Sequence, residues 1–141
     1  MKITICCSLV FMAQALNFRT KLIELGHDVL LPETIVEAEK MGLLDAKDLS
    51  IKYKNENISN ITQKMILHYN KIKNSDAVLV CNIDKNKIDN YIGPSTFLEM
   101  GIAFHYGKKL FLLNDIPTMN LRDEVEAMQP IIINQNLNLI I

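Results

Sequence analysis

Glu99 lies between Leu98 and Met100 in the stretch Tyr91-Ile92-Gly93-Pro94-Ser95-Thr96-Phe97-Leu98-Glu99-Met100-Gly101, whose other late members suit a hydrophobic core. A carboxylate in such a place has two readings. It either faces solvent and pairs with a lysine, or it is held in a dry pocket, where an ionised carboxylate can act as a nucleophile. Gly93, Pro94, Ser95 and Thr96 form a good start for the helix that carries it. Proline is preorganised for a first helical turn, and serine or threonine can cap one. Free backbone N–H groups at such a start suit an anion such as phosphate. His68 is the second polar residue in an apolar setting, on the stripe Ile61, Met65, His68 and Ile72. It is either a hydrogen-bonded core histidine or a proton donor to a leaving group, a role that imidazole chemistry suits near neutral pH. His27 and His105, in a turn and late in a helix, receive no role.

Something must hold these side chains together. Five short runs rich in Ile, Val or Leu, at Ile3–Cys7, Val29–Leu31, Ala77–Cys81, Leu110–Leu113 and Ile131–Ile133, lack strict alternation, as parallel strands covered on both faces do. Between them lie segments with helical period. The first, with Phe11, Ala15, Phe18, Leu22 and Leu25 on one stripe, ends at Gly26, where a left-handed cap residue belongs. Further helices are expected over about 59–73, from near Ser95 to Gly107, and over about 121–128. The polar segment from Glu33 to Asn57 is the least regular, readable as a broken helix or as a flap over the site. The alternation predicts a single doubly wound α/β domain over residues 1–141, with five mainly parallel strands in the flavodoxin-like order 2-1-3-4-5 and helices on both faces. In that order ligands bind at the carboxyl ends of the first and third strands. Those ends are Cys6-Cys7-Ser8 and Cys81-Asn82, followed by the loop through Asp89, Asn90 and Tyr91 into Gly93. Asp76 starts the third strand at the opposite end and is assigned a structural role.

The chain is long enough to bury a core. Its 49% hydrophobic and 22% charged residues are ordinary for a globular domain. A formal net charge of -1 gives no electrostatic case for a nucleic-acid or membrane partner. The lysines at 52, 54, 64, 71 and 73 are interrupted by acids and asparagines and read as solvated helix faces. Three cysteines, Cys6, Cys7 and Cys81, show no metal-ligand spacing, so reduced thiols and no metal are expected. The opening Met1–Ala15 has the look of a secretory leader, but the helical stripe continues through it, which favours a cytoplasmic protein. No stretch reaches the roughly 18 apolar residues of a membrane span.

Dinucleotide, P-loop, serine-hydrolase and zincin motifs are missing from the chain. What it does contain is Asn74-Ser75-Asp76-Ala77-Val78-Leu79-Val80, then Glu99-Met100-Gly101-Ile102-Ala103 and Gly107-Lys108. Over about residues 58–113 this resembles the nucleoside 2-deoxyribosyltransferase superfamily, which includes nucleoside-monophosphate N-glycosidases. The resemblance implies that Glu99 attacks the sugar C1′ and forms a glycosyl ester; in the reading built on it, His68 protonates or hydrogen-bonds the departing base. It implies a 5′-phosphate contact for Ser8, weaker support from Phe11, and sugar or phosphate contacts from Ser95 and its turn. Asn82, Asp89, Asn90, Tyr91, Gly93, Pro94 and Thr96 complete the expected substrate-binding set. Two positions depart from the family pattern. His68 stands where an aspartate often does, and Gly93 where an acid or serine often precedes the nucleophile. No cofactor is implied. The resemblance also implies a homo-oligomer, for which the apolar helix faces and the C-terminal Leu137–Ile141 offer surface. The rivals are a nucleotide-sensing module that keeps the crevice without chemistry, and a phosphoribohydrolase of another Rossmann-like family.

Overall fold

Backbone pairing in the computed structural model, which describes residues 1–43 and 45–141, gives one five-stranded sheet. The strands are β1 (Lys2–Cys6), β2 (Asp28–Leu30), β3 (Ala77–Val80), β4 (Lys109–Leu112) and β5 (Ile131–Ile132). All pairings are parallel, and the order is β2-β1-β3-β4-β5. Three of the strands begin one residue earlier than the apolar runs that mark them. Lys2 pairs with Asp28, and Lys109 with Ala77. The ladder is made by backbone groups and so admits polar side chains that a hydrophobic reading leaves out.

The helices are α1 (Met12–Glu24), α2 (Glu33–Lys40), α3 (Ala46–Lys54), α4 (Ile58–Lys73), α5 (Pro94–His105) and α6 (Arg122–Ala127). A 3-10 turn, Leu9–Phe11, leads from β1 into α1. Along each central strand successive side chains enter opposite layers. Ile3, Ile5, Ala77, Leu79 and Phe111 pack with Met12 and Leu22 of α1, Ile35 of α2 and Leu49 of α3. Cys6, Val78, Val80, Leu110 and Leu112 pack on the other side with Ile72 of α4, Met100 and Ala103 of α5, and Val125 of α6. This is the expected doubly wound, Rossmann-like fold, with the sheet covered on both faces. No helix among the described residues is long and apolar enough to cross a membrane.

Two glycines close helices as the sequence suggests. Gly26 has φ +86° and Gly107 φ +63°, a region that costs glycine little. The N–H of His27 reaches the carbonyl of Leu22 at 3.0 Å, and that of Lys108 reaches Ala103 at 2.9 Å, satisfying carbonyls that the helix ends leave open.

Glu33–Asn57 takes the broken-helix form. It holds α2 and α3, with Leu44 outside the described residues. Acids on α2 also revise the reading of the lysines. Lys64 bonds Glu37 at 2.7 Å, and Lys71 pairs with Glu33 and donates to the carbonyl of Leu31 at 2.8 Å. These lysines tie α4 to α2, where charge spacing along one helix predicted a solvated face. The C-terminal segment is corrected too. Leu137 and Ile140 are buried in the protein's own core, which leaves Leu139 and Ile141 exposed and little of the expected oligomer surface.

Candidate active site

The carboxyl ends of β1 and β3 open into a cleft of about 330 Å³, within the size range of small-molecule sites. Five parts of the chain wall it, one of them Pro32, Glu33 and Thr34 at the start of α2. The turn after β1 supplies Cys7 and Ser8; α3 supplies Ser50, Tyr53 and Lys54; α4 supplies Ile61, Lys64, Met65 and His68. The loop after β3 and the start of α5 supply Lys85, Tyr91, Gly93, Pro94, Ser95, Thr96 and Glu99. The helical stripe of α4 therefore divides. Ile61, Met65 and His68 face the cleft, whereas Ile72 enters the core.

Glu99 takes the pocketed reading. Its side chain is only 12% exposed, and Oε1 lies 3.6 Å from Nε2 of His68. That separation is beyond hydrogen-bond range. Cys6 Sγ, at the end of β1, lies 3.8 Å from the same Nε2. Two buried atoms, Oε2 of Glu99 and Nδ1 of His68, have no hydrogen-bond partner. Buried polar atoms are almost always paired, so an unpartnered carboxylate oxygen beside an unpartnered ring nitrogen calls for an explanation. The Tyr69 hydroxyl is raised above its usual range by its own burial and then by Glu99.

The thiols are poor nucleophiles here. All three cysteines are free and buried. Burial, then Glu99 and Cys7, pushes the Cys6 thiol well above its usual range; burial, then Cys81 and Glu99, does the same to Cys7. Burial pushes Cys81 up to about 12. Protonated thiols do not attack, so the cysteines are set aside as nucleophiles.

A second polar group sits at Ser8. Lys85 Nζ donates to Ser8 Oγ at 3.1 Å and lies 4.9 Å from the centre of the Tyr91 ring. A tight turn holds the lysine there. Lys85 and Ile88 exchange backbone hydrogen bonds of 3.0 and 2.9 Å across Asn86 and Lys87, whose φ values are +52° and +62°. Two positive φ angles in a two-residue turn match the twist of the strands they join. Gly93 gives Tyr91 its place, because a Cβ there would meet the ring at 3.3 Å. At α5 no side chain caps the first turn, so its leading N–H groups remain free beside the cleft.

Of the residues expected from the sequence, Ser8, His68, Tyr91, Gly93, Pro94, Ser95, Thr96 and Glu99 line the cleft together. Four lie elsewhere. Phe11 is buried in the layer under α1 and α2, because the 3-10 turn points it inward. Asn82 is wholly buried and bonded to the loop after β4. Asp89 is exposed, and the N–H of Asn90 is bonded to Asp84 at 2.8 Å in a turn beyond the cleft. Sequence reasoning missed Lys85, Tyr53 and Lys54. Asn86, a residue that tolerates positive φ, was the available sign of the turn that presents Lys85; nothing in the spacing of α3 indicated which of its sides meets the cleft. Asp76 is structural as expected, accepting a 2.7 Å bond from the N–H of Lys2. Comparisons with protein-family models, curated proteins and solved structures find no match to this chain.

Proposed function

We propose that this protein cleaves the N-glycosidic bond of a nucleoside or nucleoside 5′-monophosphate through a glycosyl ester on Glu99. The observation that carries the reading is a buried carboxylate with a free Oε2, beside a histidine with a free Nδ1, in the wall of a substrate-sized cleft. In the first step a Glu99 oxygen attacks C1′ and the C1′–N bond breaks, the departing base taking a proton from His68. In the second, water or another base attacks C1′, the C1′–O bond to Glu99 breaks and the attacker's proton returns to His68, so that two displacements give net retention. Ser8, Lys85 and the open start of α5 supply a hydroxyl, an ammonium and N–H donors suited to a sugar 5′-phosphate. The resemblance of Glu99–Ala103 and Gly107-Lys108 to the 2-deoxyribosyltransferases supports the same assignment.

The test is chromatography of a nucleoside and nucleotide panel incubated with the pure protein. Free base from at least one member, absent with Glu99→Gln, is the expected result. Binding without base release points to a sensor. A homo-oligomer belongs to the same reading, in a cytoplasmic setting. Its support is apolar exposure on two helices that pack together: Ile66 and Leu67 of α4 are 53% and 50% exposed, Leu98 and Phe104 of α5 53% and 56%. Light scattering at micromolar concentration is expected to show a dimer or larger, and a monomer removes this part.

A further inference from the structure

We propose that Cys6, His68 and Glu99 form a binding site for a divalent transition metal of the zinc type at the floor of the cleft. Among the described residues these are the three metal-ligating side chains whose ligand atoms converge, all within 4.8 Å of one another. The two separations from His68 have the right scale. Metal–sulfur bonds of ~2.3 Å and metal–nitrogen or metal–oxygen bonds of ~2.0–2.2 Å, in tetrahedral array, place sulfur about 3.5 Å and oxygen about 3.3 Å from the nitrogen. Here Cys6 Sγ and Glu99 Oε1 lie 3.8 and 3.6 Å from His68 Nε2. Both edges exceed the tetrahedral values by only a few tenths of an ångström; without a metal the first is a long sulfur hydrogen bond, and the second is beyond hydrogen-bond range.

The donor set selects the metal. One thiolate, one imidazole and one carboxylate suit zinc, cobalt or a similar borderline ion, and disfavour magnesium and calcium, which take oxygen ligands. The second, independent observation is Oε2 of Glu99, buried without a hydrogen-bond partner and so with lone pairs to offer. His68 is itself only 3% exposed. Cys6 ends β1, His68 lies on α4 and Glu99 on α5, so the ligands stand on regular elements that hold the triangle before any ion arrives. His68 and Glu99 also line the cleft, which leaves a fourth coordination position open to it. On binding, the Cys6 S–H bond breaks, its proton passes to buffer and a sulfur–metal bond forms; no group is oxidised or reduced. A metal held this way draws charge from the Glu99 carboxylate and takes Nε2 of His68, so it inhibits the proposed glycosidase. The site itself does not depend on that function.

Titration of chelator-treated, dialysed protein with cobalt(II) alone tests the site. The expected result is a thiolate-to-cobalt charge-transfer band with strong tetrahedral visible absorption, saturating at one equivalent. Cys6→Ser should abolish the charge-transfer band, while Cys7→Ser retains it. His68→Gln and Glu99→Gln should each weaken binding by at least about tenfold, a loss that even a supporting residue can cause. Circular dichroism confirms that each variant is folded, and the two amide variants keep the test decisive should Cys6→Ser fail to fold. A wild-type protein with no saturable band, or a band that persists in Cys6→Ser, overturns the proposal. Protein that binds cobalt as described but releases no base leaves the site standing and removes the glycosidase reading. Protein that releases base but shows no band does the reverse.

Discussion

Asn82 and Glu99 both stand near the carboxyl edge of the sheet, each a polar side chain surrounded by core, and the protein treats them in opposite ways. Asn82 Nδ2 donates to the carbonyls of Asn114 and Asp115 at 3.0 and 2.9 Å, its Oδ1 accepts from the N–H of Asn114 at 2.9 Å, and its carbonyl accepts from Asn114 Nδ2 at 2.8 Å. Glu99 and its neighbour His68 keep a free oxygen and a free nitrogen in comparable burial. At the other end of the sheet Thr4 and Ser75 repeat the Asn82 pattern: their hydroxyls lie 2.7 Å apart, and the Ser75 hydroxyl donates to the carbonyl of Lys71 at 2.8 Å. Full pairing marks polar groups that hold the fold, because leaving them open costs about 1–3 kcal/mol each. At Glu99 and His68, beside the cleft, that pairing is left open.

The sharpest way to break the contrast is Glu99→Gln. It keeps size and hydrogen bonding but removes the charge that the proposed mechanism uses to attack C1′. Base release should fall by about three orders of magnitude or more, while thermal stability holds or rises because a buried amide is cheaper to desolvate than a carboxylate. Wild-type turnover in this variant sinks the mechanism. His68→Ala comes next, with a loss of ~10²–10⁴-fold, smallest for a substrate whose base departs readily without protonation. A uniform loss across substrates contradicts proton donation by His68.

Asn82→Ala should act on stability. Removing its side chain strands the Asn114 N–H and two carbonyls, so urea unfolding should report a loss of about 2–4 kcal/mol. A stable Asn82→Ala that has lost turnover instead moves this residue into the site. Ser75→Ala should cost less, about 1–2 kcal/mol, because the Thr4 hydroxyl and one carbonyl lose their partner.

The smallest effect is expected at Glu37, whose hydrogen bond from Lys64, with the charges of Lys64 and Lys52, holds its carboxyl below the usual range. A lowered folded-state value means stabilisation that is complete above the ordinary glutamate range and is lost as pH falls through the lowered one. Glu37→Gln should therefore flatten the acid limb of the stability curve. The side chain is 42% exposed, so the change is about 0.5 kcal/mol or less and shrinks with added salt. An unchanged pH profile removes this ion pair from the account.

Period and turn chemistry in the sequence determined much of this protein. Apolar runs without alternation specified parallel strands buried on both faces, the intervening helical periods specified crossovers, and short right-handed crossovers leave few strand orders besides 2-1-3-4-5. Gly26 and Gly107 marked helix ends because their backbone angle is a local property. Glu99 stood out because a carboxylate inside an apolar helix breaks its own pattern. The choice between pocket and surface for Glu99 fell to tertiary structure, as did that between core and cleft for His68, since both depend on what packs across from α4 and α5. The same holds for Lys64 and Lys71, whose partners Glu37 and Glu33 lie on another helix, and for Lys85, which one turn swings onto Ser8. The convergence of Cys6, His68 and Glu99 is the clearest case. Each sits on its own element with ordinary local spacing, and distance in space, which no sequence period encodes, makes them one cluster.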